Sequence, residues 1–173
     1  MGGSLLTIDE FITQIKDKSP PAPEAALREF ESRIGCAFPD DYRYFLINCN
    51  GGYLGGRLWF IGSNSAGKNI EAGVHHIGGF RAEDYFSLDW ARECYLGRIP
   101  SSLVWIYDDP FGNAICLGVT GPQRGRVYFW DHENEPDSEF WDGSIETAGN
   151  IELICDSFVD YVAGLRMLAD TEE

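Results

Sequence analysis

Leu103-Val104-Trp105-Ile106-Tyr107, then Asp108-Asp109-Pro110-Phe111-Gly112-Asn113, then Ala114-Ile115-Cys116-Leu117 is the stretch that decides the fold. A run of β-branched and aromatic residues, a cluster of turn formers and a second apolar run predict two strands joined by a reversal. Aspartate and proline suit the turn, and Gly112-Asn113 tolerates the backbone angles that a reversal requires. Downstream, Thr120-Gly121-Pro122 through Gly125 predicts another turn, and Arg126-Val127-Tyr128-Phe129-Trp130 a returning strand. Three strands in series with short turns make an antiparallel meander. The period of two puts Tyr128 and Trp130 on one face and Val127 and Phe129 on the other.

Upstream the period is helical. Thr7 and Glu10 form a capping box ahead of Ile8, Phe11, Ile12 and Ile15, which are spaced to line one face. Ser19-Pro20-Pro21-Ala22-Pro23 is expected to end that helix. A second helix starts near Glu24, turns Leu27, Phe30 and Ile34 inward and stops at Gly35. Pro39-Asp40-Asp41 opens a third, whose stripe is Tyr42, Phe45, Leu46 and Cys49 and whose stop is Asn50-Gly51-Gly52. Beyond it, Leu58–Ile61 and Val74–Ile77 read as strands, 87–95 as holding a short helix, and Ile151–Ile154 as a strand. Ser157 caps a last helix carrying Phe158, Tyr161, Val162 and Leu165. The expected class is α+β: one domain over residues 1–173, with N-terminal helices, a central mainly antiparallel sheet and a C-terminal helix.

Composition narrows the function. Of 173 residues 44% are hydrophobic and 14% aromatic, enough for a packed core and too much for a disordered chain. Thirteen basic against 28 acidic side chains leave a net charge of −15. That field repels phosphate backbones and anionic lipid, so neither nucleic acid nor a membrane is an expected partner; cationic proteins are. Cys36, Cys49, Cys94, Cys116 and Cys155 are scattered and odd in number, which fits neither a disulfide framework nor a zinc ribbon. The first residues lack a signal peptide's basic and apolar regions, and no apolar run reaches the roughly 20 residues of a membrane span. A cytoplasmic protein is expected.

The acids are concentrated. Asp131, Glu133, Glu135, Asp137, Glu139, Asp142, Glu146, Glu152, Asp156 and Asp160 follow one another with no Lys or Arg between Val127 and Leu165. A charge run is ordinarily a solubilising face, whereas Phe140 and Trp141 inside it give the composition of an interface, and the two readings stand level. Catalytic signals are weak. His132 has no second histidine at a ligand spacing, and His75-His76 would point to opposite faces of a strand. Gly62 to Lys68 has the spacing of a phosphate loop, but Asn69 replaces the required Ser or Thr and no helix follows, so a loop between strands is expected. No serine elbow or paired cysteine is present.

Three segments together resemble the SUKH superfamily, which includes the yeast cell-wall-assembly regulator and many bacterial immunity proteins. They are Phe38-Pro39-Asp40-Asp41-Tyr42-Arg43-Tyr44-Phe45-Leu46 with Asn50-Gly51-Gly52, the hairpin from Asp108 to Leu117, and Gly125-Arg126-Val127-Tyr128-Phe129-Trp130-Asp131-His132-Glu133. The closing Asp156-Ser157-Phe158 with Tyr161 and Leu165 also fits, so the resemblance runs over about residues 22–168. Phe38 stands where Leu is usual, and Asn64 to Phe80 has no assignable counterpart. The resemblance implies a binding protein without catalytic residues, metal or cofactor: an immunity protein that neutralises a basic toxin domain, with a nuclease the leading candidate. The expected contact residues are Asp131, His132 and Glu133 at the strand end, Glu135, Asp137, Glu139 and Trp141 in the acid run, and Asp108 and Asp109 in the hairpin. The alternatives are a regulatory protein-interaction scaffold, and a metal-dependent hydrolase using Asp108, Asp131 and His132.

Overall fold

The computed structural model describes residues 5–64, 66–81 and 85–168. The helices are α1 (Ile8–Gln14), α2 (Glu24–Ile34), α3 (Asp40–Asn48), α4 (Leu88–Cys94), α5 (Ile145–Ala148) and α6 (Phe158–Gly164). The strands are β1 (Gly52–Tyr53), β2 (Leu58–Ser63), β3 (Asn69–Gly73), β4 (His76–Ile77), β5 (Leu103–Asp108), β6 (Ala114–Gly118), β7 (Val127–Trp130), β8 (Ile151–Cys155) and β9 (Leu165–Met167). Six of them form one antiparallel sheet in the order β1-β4-β5-β6-β7-β8, and β3-β2-β9 form a second. The architecture is α+β, and the predicted meander is its centre. Among the described residues no helix is long and apolar enough to cross a membrane.

The local signals hold where they are self-contained. Thr7 Oγ1 accepts the Glu10 N–H at 3.2 Å while Glu10 Oε2 accepts the Thr7 N–H at 2.9 Å. Gly35 closes α2 in the left-handed region (φ 74°). Ser87 caps α4 and Ser157 caps α6. Three details differ from the periodic reading. First, α1 stops at Gln14, before the prolines, because Lys16 leaves helical geometry to pair its backbone with Tyr53. Second, β3 and β9 complete a sheet that the sequence pattern does not reveal, since their pairing partner β2 supplies the register. Third, the anticipated strand 74–77 is reduced to the two residues of β4, since β3 ends at Gly73 and Val74 and His75 lie between the two strands.

Both faces of the six-stranded sheet are covered, so all four β7 residues are buried. A bulge in β5 sets this up: Trp105 pairs with Cys116 and Tyr107 with Ile115, adjacent residues that face opposite ways. Tyr107 therefore enters the cluster of Phe11, Phe45, Phe158 and Tyr161 from α1, α3 and α6, with ring centroids 6.1–6.3 Å away. Trp105 points to the other side, against Trp90 and Tyr95, and Tyr95 meets Trp130 edge-on at 5.4 Å.

The Asn50-Gly51-Gly52 stop has a packing reason. Buried Asn50 donates to the Pro20 and Phe80 carbonyls and accepts the Phe80 N–H at 2.6 Å. A Cβ on Gly52 would sit 2.4 Å from Ile15 Cγ2, so only glycine fits this approach of β1 to the α1 exit.

Candidate functional site

Register gathers the candidate residues at one end of the large sheet. Asp108 pairs with Ala114, Ala114 with Trp130, and Trp130 with Ile151. The 109–113 reversal and the 131–150 connection therefore emerge side by side, and His132 donates its backbone N–H to Asn113 Oδ1. This shared edge carries nearly every residue singled out in the sequence. The side chains, however, divide into three groups.

The first group is structural. Asp109 is 2% exposed and accepts the Phe111 and Asn113 N–H groups, each at 2.8 Å, and the Asn113 side-chain amide at 2.9 Å. It cannot meet a partner, and its expected contact role is corrected: a carboxylate this enclosed serves the turn. Asp131 caps a short 3-10 turn (His132–Asn134) by accepting the Glu133 N–H, and His132 Nδ1 lies 2.9 Å from Asn113 Oδ1. Glu135 is engaged by Arg98 through two 2.8 Å hydrogen bonds. Among the described residues, Asp108, Asp131 and His132 do not converge on one point, so the trio of the hydrolase alternative is not assembled.

The second group belongs to the 133–142 segment, where Asp137 Oδ1 accepts the Glu139 N–H at 3.0 Å. Glu133, Asp137 and Glu139 are exposed, and no cation among the described residues lies within ion-pair distance of them. Phe140 is 82% exposed beside them. Trp141 is half-buried and tied by its indole N–H to the Ser144 carbonyl at 2.9 Å. Asp142 accepts from Thr147 and the Ser144 N–H, and these bonds hold its carboxyl below the usual range. Pro136, Asp137, Phe140, Trp141, Asp142 and Thr147 together line an open cavity of about 190 Å³. Aromatic faces and carboxylates around one hollow suit a guanidinium or ammonium group.

The third group was missed from sequence. His75 lies just outside β4, so the strand alternation that would separate it from His76 does not apply, and the opposite-face expectation is corrected. The two imidazole centroids are 4.1 Å apart, and both rings face Asp108. Burial, then the neighbouring His76, lowers the pKa of His75 against the opposing pull of Asp108. The flanking Gly73, Gly78 and Gly79 are the signal that could have warned of a broken strand.

Helices packed on the faces of a mainly antiparallel sheet, with an acidic loop at one edge, define an α+β domain. The chain belongs to the SMI1 / KNR4 family (SUKH-1), whose model matches residues 21–164. It is also 30% identical over 152 residues to the SPbeta prophage-derived uncharacterized protein YokK of Bacillus subtilis (strain 168), a match covering 80% of this chain and 72% of that protein. Membership supports a toxin-immunity-like role in general.

Proposed function

We propose that this protein is a cytoplasmic, non-catalytic immunity protein that binds a basic toxin domain, a nuclease being the favoured class, through the 133–142 segment. The observation that carries the reading is the exposed Phe140 in a segment whose carboxylates Glu133, Asp137 and Glu139 are exposed and without a cationic partner among the described residues. A toxin that grips phosphate needs a basic cleft, and an unpaired carboxylate surface complements it and steers its approach. In this reading the hollow beside Phe140 and Trp141 takes one arginine or lysine of the toxin as an anchor. Asp108 and Asp131 support the edge from behind. Family membership supports the same role.

The test is co-expression with the product of the neighbouring reading frame, followed by pull-down and a toxicity assay. A stable complex that abolishes toxicity, weakened by salt and by Phe140→Ala, is expected. A complex indifferent to salt and to residues 133–142 would move the interface elsewhere. Turnover of a phosphodiester or ester by the isolated protein would overturn the non-catalytic part.

A further inference from the structure

We propose that His75, His76 and Asp108 form a binding site for one zinc-class divalent ion. The three donor atoms lie within 4.8 Å of one another. Measured to the single oxygen Asp108 Oδ1, His75 Nδ1 is 3.6 Å away and His76 Nδ1 is 3.1 Å away. Tetrahedral bonds of about 2.0–2.1 Å separate neighbouring ligand atoms by roughly 3.3–3.4 Å. These two edges bracket that length, and the third, between the two imidazoles, lies within 4.8 Å.

The donors are also held in place. Asp108 Oδ1 accepts the His76 backbone N–H at 2.6 Å, and the Asp108 carbonyl accepts the His75 N–H at 3.0 Å. Tyr53 lies 5.0 Å and 5.3 Å from the two imidazoles, and Phe86 stacks on His76 at 3.7 Å with an interplanar angle of 6°. Phe86 keeps a positive φ of 76°, a backbone cost that its ring contact offsets. Such orienting contacts are what a metal site requires around its ligands.

Two imidazoles and one carboxylate match zinc and its neighbours, whereas magnesium and calcium require more oxygens. The side chains of His75 and His76 are about a quarter exposed, at 25% and 27%, which leaves an entry path and a fourth position for water. The net charge of −15 raises the local cation concentration. An ion held by His76 and Asp108 joins the two-residue β4 to the end of β5. None of this depends on the toxin reading, and no partner is needed to test it.

The experiment titrates chelator-treated protein with zinc chloride by calorimetry, and with cobalt(II) by visible absorption. One equivalent per chain is expected, with the intense bands of a four-coordinate cobalt site and a melting temperature that rises with zinc. His75→Ala and Asp108→Asn should each weaken zinc by about 100-fold or more while the far-ultraviolet dichroism stays unchanged. Should a variant misfold, imidazole nitrogen shifts in the wild type decide: zinc must move His75 and His76 and leave His132 in place. Absence of saturable binding, binding retained in the folded variants, or shifts confined to His132 would each overturn the site.

Discussion

Glu135 and Arg98, 37 residues apart, form a two-pronged ion pair: Arg98 Nε and Nη2 each donate to a different Glu135 oxygen at 2.8 Å. The guanidinium also lies over Trp130, 5.2 Å from its ring centroid, and over Tyr95 at 5.3 Å. One residue of the acid run thus bolts the start of the acidic segment onto the core. Asp137 and Glu139 after it have no cationic partner among the described residues, whereas Glu152 pairs with Lys68 and Asp156 with Arg126.

That division makes the acid run testable residue by residue. Asp137→Lys with Glu139→Lys should cost no more than about 1 kcal/mol, since neither side chain has a cationic partner among the described residues to lose and only the exposed Glu139 N–H loses its acceptor, Asp137 Oδ1. The pair should slow association with the co-expressed partner at low salt and flatten its salt dependence. Glu135→Lys should behave differently, costing about 1–2 kcal/mol because it sets two cations together against Trp130. Stopped-flow association beside urea melts separates the cases; an unchanged on-rate in the double variant would remove the segment from the interface.

Trp130→Ala should cost about 3–5 kcal/mol. The ring is 1% exposed between Tyr95 and Arg98, and its removal leaves a cavity under the sheet. Urea unfolding measures it. A mutant that melts like wild type but fails to bind would make Trp130 a contact residue.

Asp109→Ala should lower stability by about 2–4 kcal/mol, because three donors of the reversal lose their acceptor at once. Asp109→Asn, which keeps one carbonyl oxygen, should cost less. Hydrogen exchange at Phe111 and Asn113 should accelerate first; protection that persists in the alanine variant would show that the turn does not need the carboxylate.

Thiol reactivity should follow burial. Burial pushes Cys49 up to about 11 and Cys155 up to about 12, and it raises Cys116 further still. At pH 8 only about one Cys49 in a thousand is thiolate, so buried Cys49 and Cys116 should react with a disulfide reagent only on unfolding, and half-buried Cys155 slowly. Exposed Cys94 should react first. Peptide mapping after a brief pulse checks the order, and early labelling of Cys116 would contradict the buried β6.

The sequence by itself determined the parts whose causes are local. Turn formers at 108–113 and 120–125 with apolar runs between them specify the meander, because hairpin pairing needs only near neighbours. The capping box at Thr7 and Glu10, the αL stop at Gly35 and the Ser157 cap were legible for the same reason. The acid run was legible as charge. Its energetic meaning was not: whether Glu135 is free depends on Arg98, brought near only when α4 packs on β5.

Only the tertiary structure decided which carboxylates are buried, paired or free, and that His75, His76 and Asp108 share one point. Asp108 reaches the histidines across 32 residues because β4 pairs with β5 at Ile77 and Tyr107, a register set by what both strands bury. The bulge between Trp105 and Tyr107 likewise sends two aromatics two positions apart to opposite faces, against the period of two. Periodicity records the side a residue prefers under regular geometry. Where glycines break a strand or a bulge adds a residue, the competition among distant packing partners chooses the side.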